Sequence, residues 1–327
     1  FLVATASIMP PMKQLLWTQK QDIGPAARSS FGMAFDAARQ HAVLFGGQVG
    51  SNRGSDTWEW DGEAWTQTAD IGPAARSGHA LAYDSKRERT VLFAGSAASG
   101  FLGDTWEWDG AEWTQMADTG PAARQGLALT FDSKRQRVVL FGGVNQSNSA
   151  FSDTWVWDGT DWTQEQDSGP SARFDHRLAY DSARDRVVLF GGTTVSTYTY
   201  QTGNWFSGYT TQTGYNYSPL NDTWEYDGTQ WTRVGDTGPA RRRAHGMDYD
   251  SVNVLLYGEL GTGALGDTWA WDGKHWTQLQ DIGPVPRSYL GMTYDSVRQR
   301  VVLFGGQNAT SSPLGDTWET FEPSGDN

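Results

Sequence analysis

The sequence predicts an all-β protein made of six copies of one four-stranded unit. The string Asp-Thr-Trp occurs six times in 327 residues, at spacings of 48, 49, 69, 45 and 49 residues. The tryptophans of these strings are Trp58, Trp106, Trp155, Trp224, Trp269 and Trp318. Each copy also contains short runs with the two-residue period of β-strands, separated by turn-forming residues. A repeat of this length, with strands alone in each copy, indicates a repetitive all-β architecture.

The second copy shows the four strands most clearly. "RSGHALAYD" alternates small and large residues and predicts strand a, and "TVLFAG" predicts strand b. "DTWEWDG" and "EWTQ" predict strands c and d, joined by a tight turn at Asp109-Gly110, where glycine supplies a positive φ. The two tryptophan positions of a copy, such as Trp58 and Trp65, provide the large apolar area that packs one unit against the next.

The order of these signals resembles the kelch repeat. An apolar run ends in a glycine pair such as Gly46-Gly47, and two aromatic residues follow with six residues between them. The resemblance spans roughly residues 12–322. The repeats are also similar to those in the central domain of galactose-oxidase-like proteins. With six copies, the resemblance implies a six-bladed kelch β-propeller.

The chain ends are expected to complete one blade together. The last copy stops after strand c, and the segment "LLWTQ" around Trp17 provides an orphan strand d. Pairing of the two would complete the C-terminal blade and close the ring, which removes an exposed sheet edge. We therefore expect an N-terminal extension over residues 1–11, one propeller over residues 12–322, and a C-terminal tail over residues 323–327.

Composition excludes several functions. A net charge of −13 and a pI near 4.7 argue against nucleic acid and anionic membranes as partners. The chain has no cysteine, which excludes disulfides, a thiol nucleophile and the Cys-Tyr copper site of galactose-oxidase-type enzymes. Neither a cofactor nor a metal is expected, and no apolar run is long enough for membrane insertion. The apolar start "FLVATAS" resembles the end of a secretory signal and favours a secreted or periplasmic protein.

Residues that recur in every copy are interpreted as structural. A "D-x-G-P-x-x-R" connection ends in an arginine in all six copies, at Arg28, Arg76, Arg124, Arg173, Arg242 and Arg287. A ring of arginines could bind an anion, but equal recurrence favours pairing of each one with a carboxylate that holds a loop. His79, His176 and His245 share one position in strand a, and no metal-ligand spacing accompanies them. They are expected to pack rather than to ligate.

Function should break the six-fold symmetry, because an asymmetric ligand needs different groups in different blades. The departures lie mainly in blades 4 and 5, which add Asp175 and Arg177, and then Arg243, Asp248 and Glu259. Simple drift remains an alternative, with Asp248 and Arg243 or Arg177 forming a local ion pair.

The kelch resemblance also implies where ligands bind. Related propellers use the residue after the glycine pair and the residue two past the recurring arginine, on the face that the b–c and d–a loops share. Carried over, these positions implicate Gln48, Asp175, Tyr289 and Gln307 as ligand-binding residues.

The b–c connection of blade 4, residues 193–221, has 29 residues where other blades use seven to nine. Its alternating threonines and tyrosines predict a β-hairpin, and residues 193–219 carry no charge. Its aromatic side chains, in particular Tyr198, Trp205, Tyr209 and Tyr215, are candidates for ligand contact. Three roles stay open: a lid or wall of a pocket, an arm that binds another protomer, and a loop folded onto its own propeller.

These observations favour a binding module that presents a site for a glycan, a peptide or another small molecule on the loop face. The alternative is an enzyme of unknown isomerase, lyase or hydrolase type that uses Asp175, Arg243, Asp248 and Glu259 as acid–base groups. It requires these side chains to converge in one pocket. A third hypothesis is an assembly protein that oligomerises through the hairpin.

Overall fold

The computed structural model describes residues 15–20, 23–117, 119–165, 168–204, 208–258, 265–280 and 283–321. Within these ranges the chain is all-β and forms six four-stranded sheets and two two-stranded sheets. The six larger sheets are the blades of a six-bladed β-propeller, as predicted. No helix in the described ranges is long and apolar enough to cross a membrane. The proposed extension 1–11 and tail 323–327 lie outside the described residues.

Each blade is an antiparallel meander with strand a innermost. Blades 1 to 3 contain β2 (Gly32–Asp36), β3 (His41–Phe45), β6 (Thr57–Trp60) and β7 (Trp65–Ala69); β8 (Ala80–Asp84), β9 (Arg89–Ala97), β10 (Gly100–Trp108) and β11 (Trp113–Ala117); β12 (Ala128–Asp132), β13 (Arg137–Phe141), β14 (Thr154–Trp157) and β15 (Trp162–Gln164). Blades 4 to 6 contain β16 (Arg177–Asp181), β17 (Arg186–Phe190), β20 (Thr223–Tyr226) and β21 (Trp231–Gly235); β22 (Gly246–Tyr249), β23 (Val254–Tyr257), β24 (Thr268–Trp271) and β25 (Trp276–Gln280); β26 (Gly291–Asp295), β27 (Arg300–Phe304), β28 (Thr317–Phe321) and β1 (Leu16–Gln19). The b–c connections of blades 1 and 4 add the hairpins β4 (Gln48–Val49) and β5 (Asn52–Arg53), and β18 (Thr193–Asn204) and β19 (Gly208–Pro219).

The two ends of the chain close the ring, as predicted. Strand β1 pairs antiparallel with β28, from Leu16 opposite Phe321 to Gln19 opposite Trp318. The outer strand of blade 6 is therefore supplied by the start of the chain. Separation of the first and last blades would break this pairing, which ties local unfolding at this interface to the whole ring.

The hydrophobic core lies between the blades. Its buried residues form six clusters, each built from two neighbouring blades. In five of them a strand-b phenylalanine packs on a strand-d tryptophan of the next blade, as Phe93 does on Trp162 with ring centroids 5.0 Å apart. Four of these five ring pairs meet edge-to-face, and this arrangement suits the quadrupoles of the two rings. The sixth interface uses Tyr257 and Trp17.

The recurring arginines pair with the aspartate of Asp-Thr-Trp in their own blade. All six pairs are bidentate, with N–O distances of 2.6 to 2.9 Å, and the guanidinium groups are almost fully buried. Arg76, for example, also donates to the carbonyl of Ala94 in strand b. The prediction that these arginines hold loops is therefore confirmed, and they are not free to bind an anion.

The threonine of the same string connects neighbouring blades. Its Oγ1 accepts a hydrogen bond from the strand-d tryptophan of the following blade, as Thr57 does from Trp113 at 2.8 Å. All six interfaces contain this bond, at 2.8 to 3.3 Å. One short motif therefore fixes both the loop of its own blade and the position of the next.

Replacing one of the buried arginines should lower the stability of the propeller. We expect Arg76→Met to lower the free energy of unfolding by about 3 kcal/mol, because it leaves the Asp104 carboxylate inside without its partner. Urea denaturation followed by circular dichroism measures this loss. Arg233→Met is the control, since Arg233 pairs with Asp236 in solvent and should change stability little. Equal losses in both variants would contradict the structural role of the buried pair.

Candidate functional site

The loop-face mouth of the central channel is framed by a closed ring of backbone hydrogen bonds. The residue two past each recurring arginine donates its N–H to the carbonyl of the same position in the preceding blade, over 2.7 to 2.9 Å. The six positions are Ser30, Gly78, Gly126, Asp175, Ala244 and Tyr289, and all have φ between 54° and 68°. Four of them have small side chains, so the chemistry of the ring comes mainly from the other two.

Asp175 and Tyr289 meet across this ring. The phenol of Tyr289 donates to Oδ2 of Asp175 at 3.1 Å, although the two residues belong to blades 4 and 6. Burial raises the pKa of the Asp175 carboxyl, and the positive charges of Arg243 and Arg177 oppose that rise. The negative charge of Asp175, followed by burial, raises the pKa of Tyr289, so the phenol stays protonated as a donor.

Two arginines complete the polar part of the mouth. Arg177 starts strand a of blade 4, and its guanidinium donates to the carbonyl of His176 at 3.0 Å. Burial lowers the pKa of Arg177, while Asp175 raises it. Arg243 lies over the ring of Tyr217, 6.0 Å from its centroid. Tyr217 belongs to the base of the long hairpin, which therefore reaches the mouth.

Asp175, Tyr289 and Arg177 line a cavity of about 240 Å³ at the mouth. Its walls include Ser77, Gln125, Phe174, Asp175, Arg177 and Tyr289. Below it the channel narrows to a space of about 100 Å³ between leucine and methionine side chains, among them Leu129 and Met292. The mouth is thus a shallow polar cup with an apolar floor.

The long hairpin is a regular two-stranded ribbon. Strands β18 and β19 pair from Thr193 opposite Pro219 to Asn204 opposite Gly208. Since directly paired residues share a face, Tyr198 and Tyr200 lie on one face, and Tyr209, Tyr215 and Tyr217 lie on the other. All five tyrosines are at least 36% exposed. Tyr217 also meets the edge of Phe174, with ring centroids 6.1 Å apart.

Comparison with known families agrees with this architecture. A family model described as the KLHDC2/KLHL20/DRC7 Kelch-repeats domain matches residues 9–192 and again residues 107–306. The chain belongs to the kelch-repeat family. No curated protein matches it. Kelch propellers serve in general as protein-interaction modules, and that is the general role of this one.

The kelch propeller brings only part of the predicted ligand-binding set together. Asp175, Arg177 and Tyr289 share the mouth cavity, and Arg243 lies beside it. Tyr198 lies on the hairpin face opposite to Tyr209 and Tyr215, so these three do not form one contact surface. Trp205 lies outside the described residues.

Gln48 and Gln307 lie on the same loop face but do not line the cavity. Their backbones pair with Ser29 and Ser288, the residues just before the ring positions. The side chain of Gln48 donates to the carbonyl of Gly50 within its own small hairpin. Of the two sets of positions carried over from the kelch resemblance, only the residues two past the recurring arginine, such as Asp175 and Tyr289, line this cavity.

Tyr217 and Phe174 are contributors that the sequence did not single out as ligand-binding residues. The aromatic run contained Tyr217, but only the pairing register shows that it stands at the base of the ribbon, next to the mouth. Phe174 directly precedes Asp175 in the sequence, and only the structure shows its contact with Tyr217.

Asp248 lies at the other end of strand a, in a separate cavity of about 250 Å³. Its Oδ2 accepts from the backbone N–H of Tyr294 at 2.7 Å and from Thr293 at 3.2 Å. The expected ion pair with Arg243 or Arg177 does not form. The predicted acid–base set is therefore not assembled, because Asp248 comes four residues after Ala244 and lies about 13 Å further along the channel. Glu259 lies outside the described residues.

The three strand-a histidines pack as expected. Their rings meet Phe45, Phe141 and Phe190 of the preceding blade edge-on, at 5.4 to 5.7 Å between centroids. Burial lowers the pKa of all three, that of His79 to about 3. Across the described ranges, no three His, Asp or Glu side chains are grouped so that they could hold a metal ion.

Asp248 should give stability a distinctive pH dependence. Burial raises its pKa to about 6, above the unfolded value of about 3.9, so the folded state binds more protons between these limits. We expect the free energy of unfolding to fall as the pH rises from about 4 to about 6. Urea midpoints measured across this range should show the fall in the wild type and lose that component in Asp248→Asn. Asp236→Asn, the same change at an exposed site, should keep the wild-type profile; an unchanged slope in Asp248→Asn would contradict the assignment.

Proposed function

We propose that this kelch propeller is a peptide-binding module whose site is the loop-face mouth, with the long hairpin as its wall. The observation that carries the proposal is the convergence of Asp175, Arg177 and Tyr289 on one cavity, with Arg243 and Tyr217 beside it. These five residues come from three blades and one inserted hairpin, and none of them follows from the repeat itself.

The charges of the mouth favour an acidic group on the peptide. Two guanidinium groups face one carboxylate, and that carboxylate already accepts a hydrogen bond from Tyr289. The local balance is therefore positive in a protein whose net charge is −13. A carboxylate, from an acidic side chain or from a chain terminus, suits the planar donors of arginine. A neutral glycan carries no charge that would complement this positive balance.

The size of the cavity fits one end or one side chain of a larger ligand. Its volume of about 240 Å³ is below the range of about 300–1,000 Å³ that holds whole drug-sized molecules. The rest of the peptide would leave the mouth along the hairpin, where Tyr209 and Tyr215 share the face of Tyr217. Exposed tyrosines and unpaired strand edges both bind extended peptides well.

An immobilised library of random peptides tests the proposal. We expect the wild-type protein to enrich peptides with an acidic residue or a free C-terminus, and Arg243→Gln to reduce their binding about tenfold or more, since it removes a charged donor. Arg233→Gln, at an exposed ion pair far along strand d, is the matched control and should bind as the wild type does. Enrichment without acidic groups, or equal binding by both variants, would contradict the charged site.

A glycan array with the same proteins separates the two ligand classes. Glycan binding that disappears when residues 197–217 are replaced by a short Gly-Ser turn would replace the peptide proposal by a lectin-like function. The absence of binding on the glycan array, together with enrichment of acidic peptides from the library, would support the proposal.

Self-assembly is a second candidate, favoured by the hairpin edges. In the described part of the chain, no third strand pairs with β18 or β19. A second copy could add its own hairpin at either edge. We then expect the mass from light scattering to rise with protein concentration, and the variant with residues 197–217 trimmed to stay monomeric. A wild-type protein that is monomeric at every concentration would exclude this function.

A further inference from the structure

One of the six blade interfaces lacks an aromatic ring that the other five contain. At the end of strand c, five blades place a buried aromatic residue against their strand-d tryptophan, with ring centroids 5.1 to 5.6 Å apart. These residues are Trp60, Trp108, Trp157, Tyr226 and Trp271, and all are at most 2% exposed. Blade 6 has Thr320 at this position.

The partner of the missing ring has changed with it. The indole N–H of Trp108 donates to Glu59 of the preceding blade at 3.0 Å, and Trp60, Trp157 and Trp271 make the same bond. Blade 3 has Val156 in place of the glutamate, and the facing ring is Tyr226. Blade 5 has Ala270, and the facing ring is absent altogether. Ring and acceptor thus vary together, so the interface between blades 5 and 6 has lost both.

This interface also lacks an arginine side chain that covers the other five interfaces. In five blades an arginine of the a–b turn extends over the c–d turn glycine of the next blade, as Arg39 does over Gly110. The a–b turn of blade 5 is shorter and has Asn253 but no arginine. Blade 6 has no c–d turn to cover, because its strand d comes from the start of the chain.

The result is a groove of about 580 Å³ between blades 5 and 6, more than twice the volume of the mouth cavity. Its walls combine polar and apolar side chains. The apolar ones include Leu15, Leu255, Leu279 and Val301, and Ala270 and Thr320 stand where the other interfaces are filled. The volume lies within the range of about 300–1,000 Å³ that is typical of small-molecule sites.

The charged residues at the rim of the groove indicate which charge a bound ligand would carry. Arg298 and Arg300 line the groove, but their guanidinium groups are already paired with Asp295 and Glu319. The carboxylate of Asp272 accepts hydrogen bonds from the backbone N–H groups of residues 274 and 275. Because these donors are neutral, they do not compensate its negative charge. The rim therefore complements a positive charge rather than a negative one.

We propose that the groove between blades 5 and 6 is a second ligand site, which binds a small aromatic cation. The flat ring would occupy the slot that an indole fills at the other interfaces, and the cationic group would lie toward Asp272. This site is separate from the mouth, at the edge of the ring where the chain ends meet, and it does not depend on the peptide-binding proposal.

Equilibrium dialysis of the full chain against tryptamine tests this site, because the probe combines an indole ring with an ammonium group. We expect saturable binding that weakens about tenfold or more in Thr320→Trp, which restores the missing ring and fills the slot. Ala270→Leu fills the same slot from the opposite blade and keeps the bond from the Val301 N–H to Thr320, so it stands in if the first variant does not fold. Binding that is unchanged in a folded filled variant would overturn the proposal.

The charge assignment has its own controls. Asp272→Asn should weaken tryptamine binding several-fold, whereas Asp158→Asn, the same change at the corresponding turn of blade 3, should leave it unchanged. Indole-3-propionate, which carries the ring with the opposite charge, should bind more weakly than tryptamine. Equal affinity for the two probes would overturn the cationic assignment.

Binding that appears only after removal of residues 1–14 would show that the chain's own N-terminal segment occupies the groove, and would overturn the proposal.

Discussion

The buried pair between each recurring arginine and the aspartate of Asp-Thr-Trp is the interaction on which the rest of the propeller depends. It is bidentate in all six blades and its guanidinium group is almost fully buried. The aspartate also accepts a hydrogen bond from the tryptophan of the same string. The intervening threonine accepts from the tryptophan of the next blade. Loss of one partner of such a buried charge pair is strongly destabilising, because it leaves the other charge buried without compensation. This explains why the motif recurs without a change.

This uniform framework sets where variation can occur. The ring of backbone hydrogen bonds at the mouth holds six equivalent positions, whatever side chains they carry. Asp175 and Tyr289 can therefore meet across the mouth without any change in the path of the chain. At the interface of blades 5 and 6, Ala270 and Thr320 leave space instead of adding groups. Both variations therefore change side chains on a backbone that the repeats keep the same.

The comparison of internal copies located the mouth but was less successful elsewhere. It selected Asp175, which adds a functional group at a position that is small in most blades, whereas Tyr289 at the same position came from the kelch resemblance. The same rule also selected Asp248, which lies at the opposite end of strand a, since residues near in sequence separate steadily along an extended strand. It passed over Thr320 and Ala270, because a missing ring attracts less attention than an added charge, although "TWET" and "TWAW" were visible beside four other copies.

The sequence by itself determined the all-β class, the six repeats, the closing strand around Trp17 and the structural role of the recurring arginines. These features follow from local periodicity and from repetition, which are written directly in the order of residues. Only the tertiary structure decided that Tyr217 joins Arg243 at the mouth, that Tyr198 faces away from Tyr209, and that a groove lies at the interface of blades 5 and 6. Contacts between distant segments depend on strand register and on side-chain volume across interfaces, and neither quantity can be read from one segment at a time.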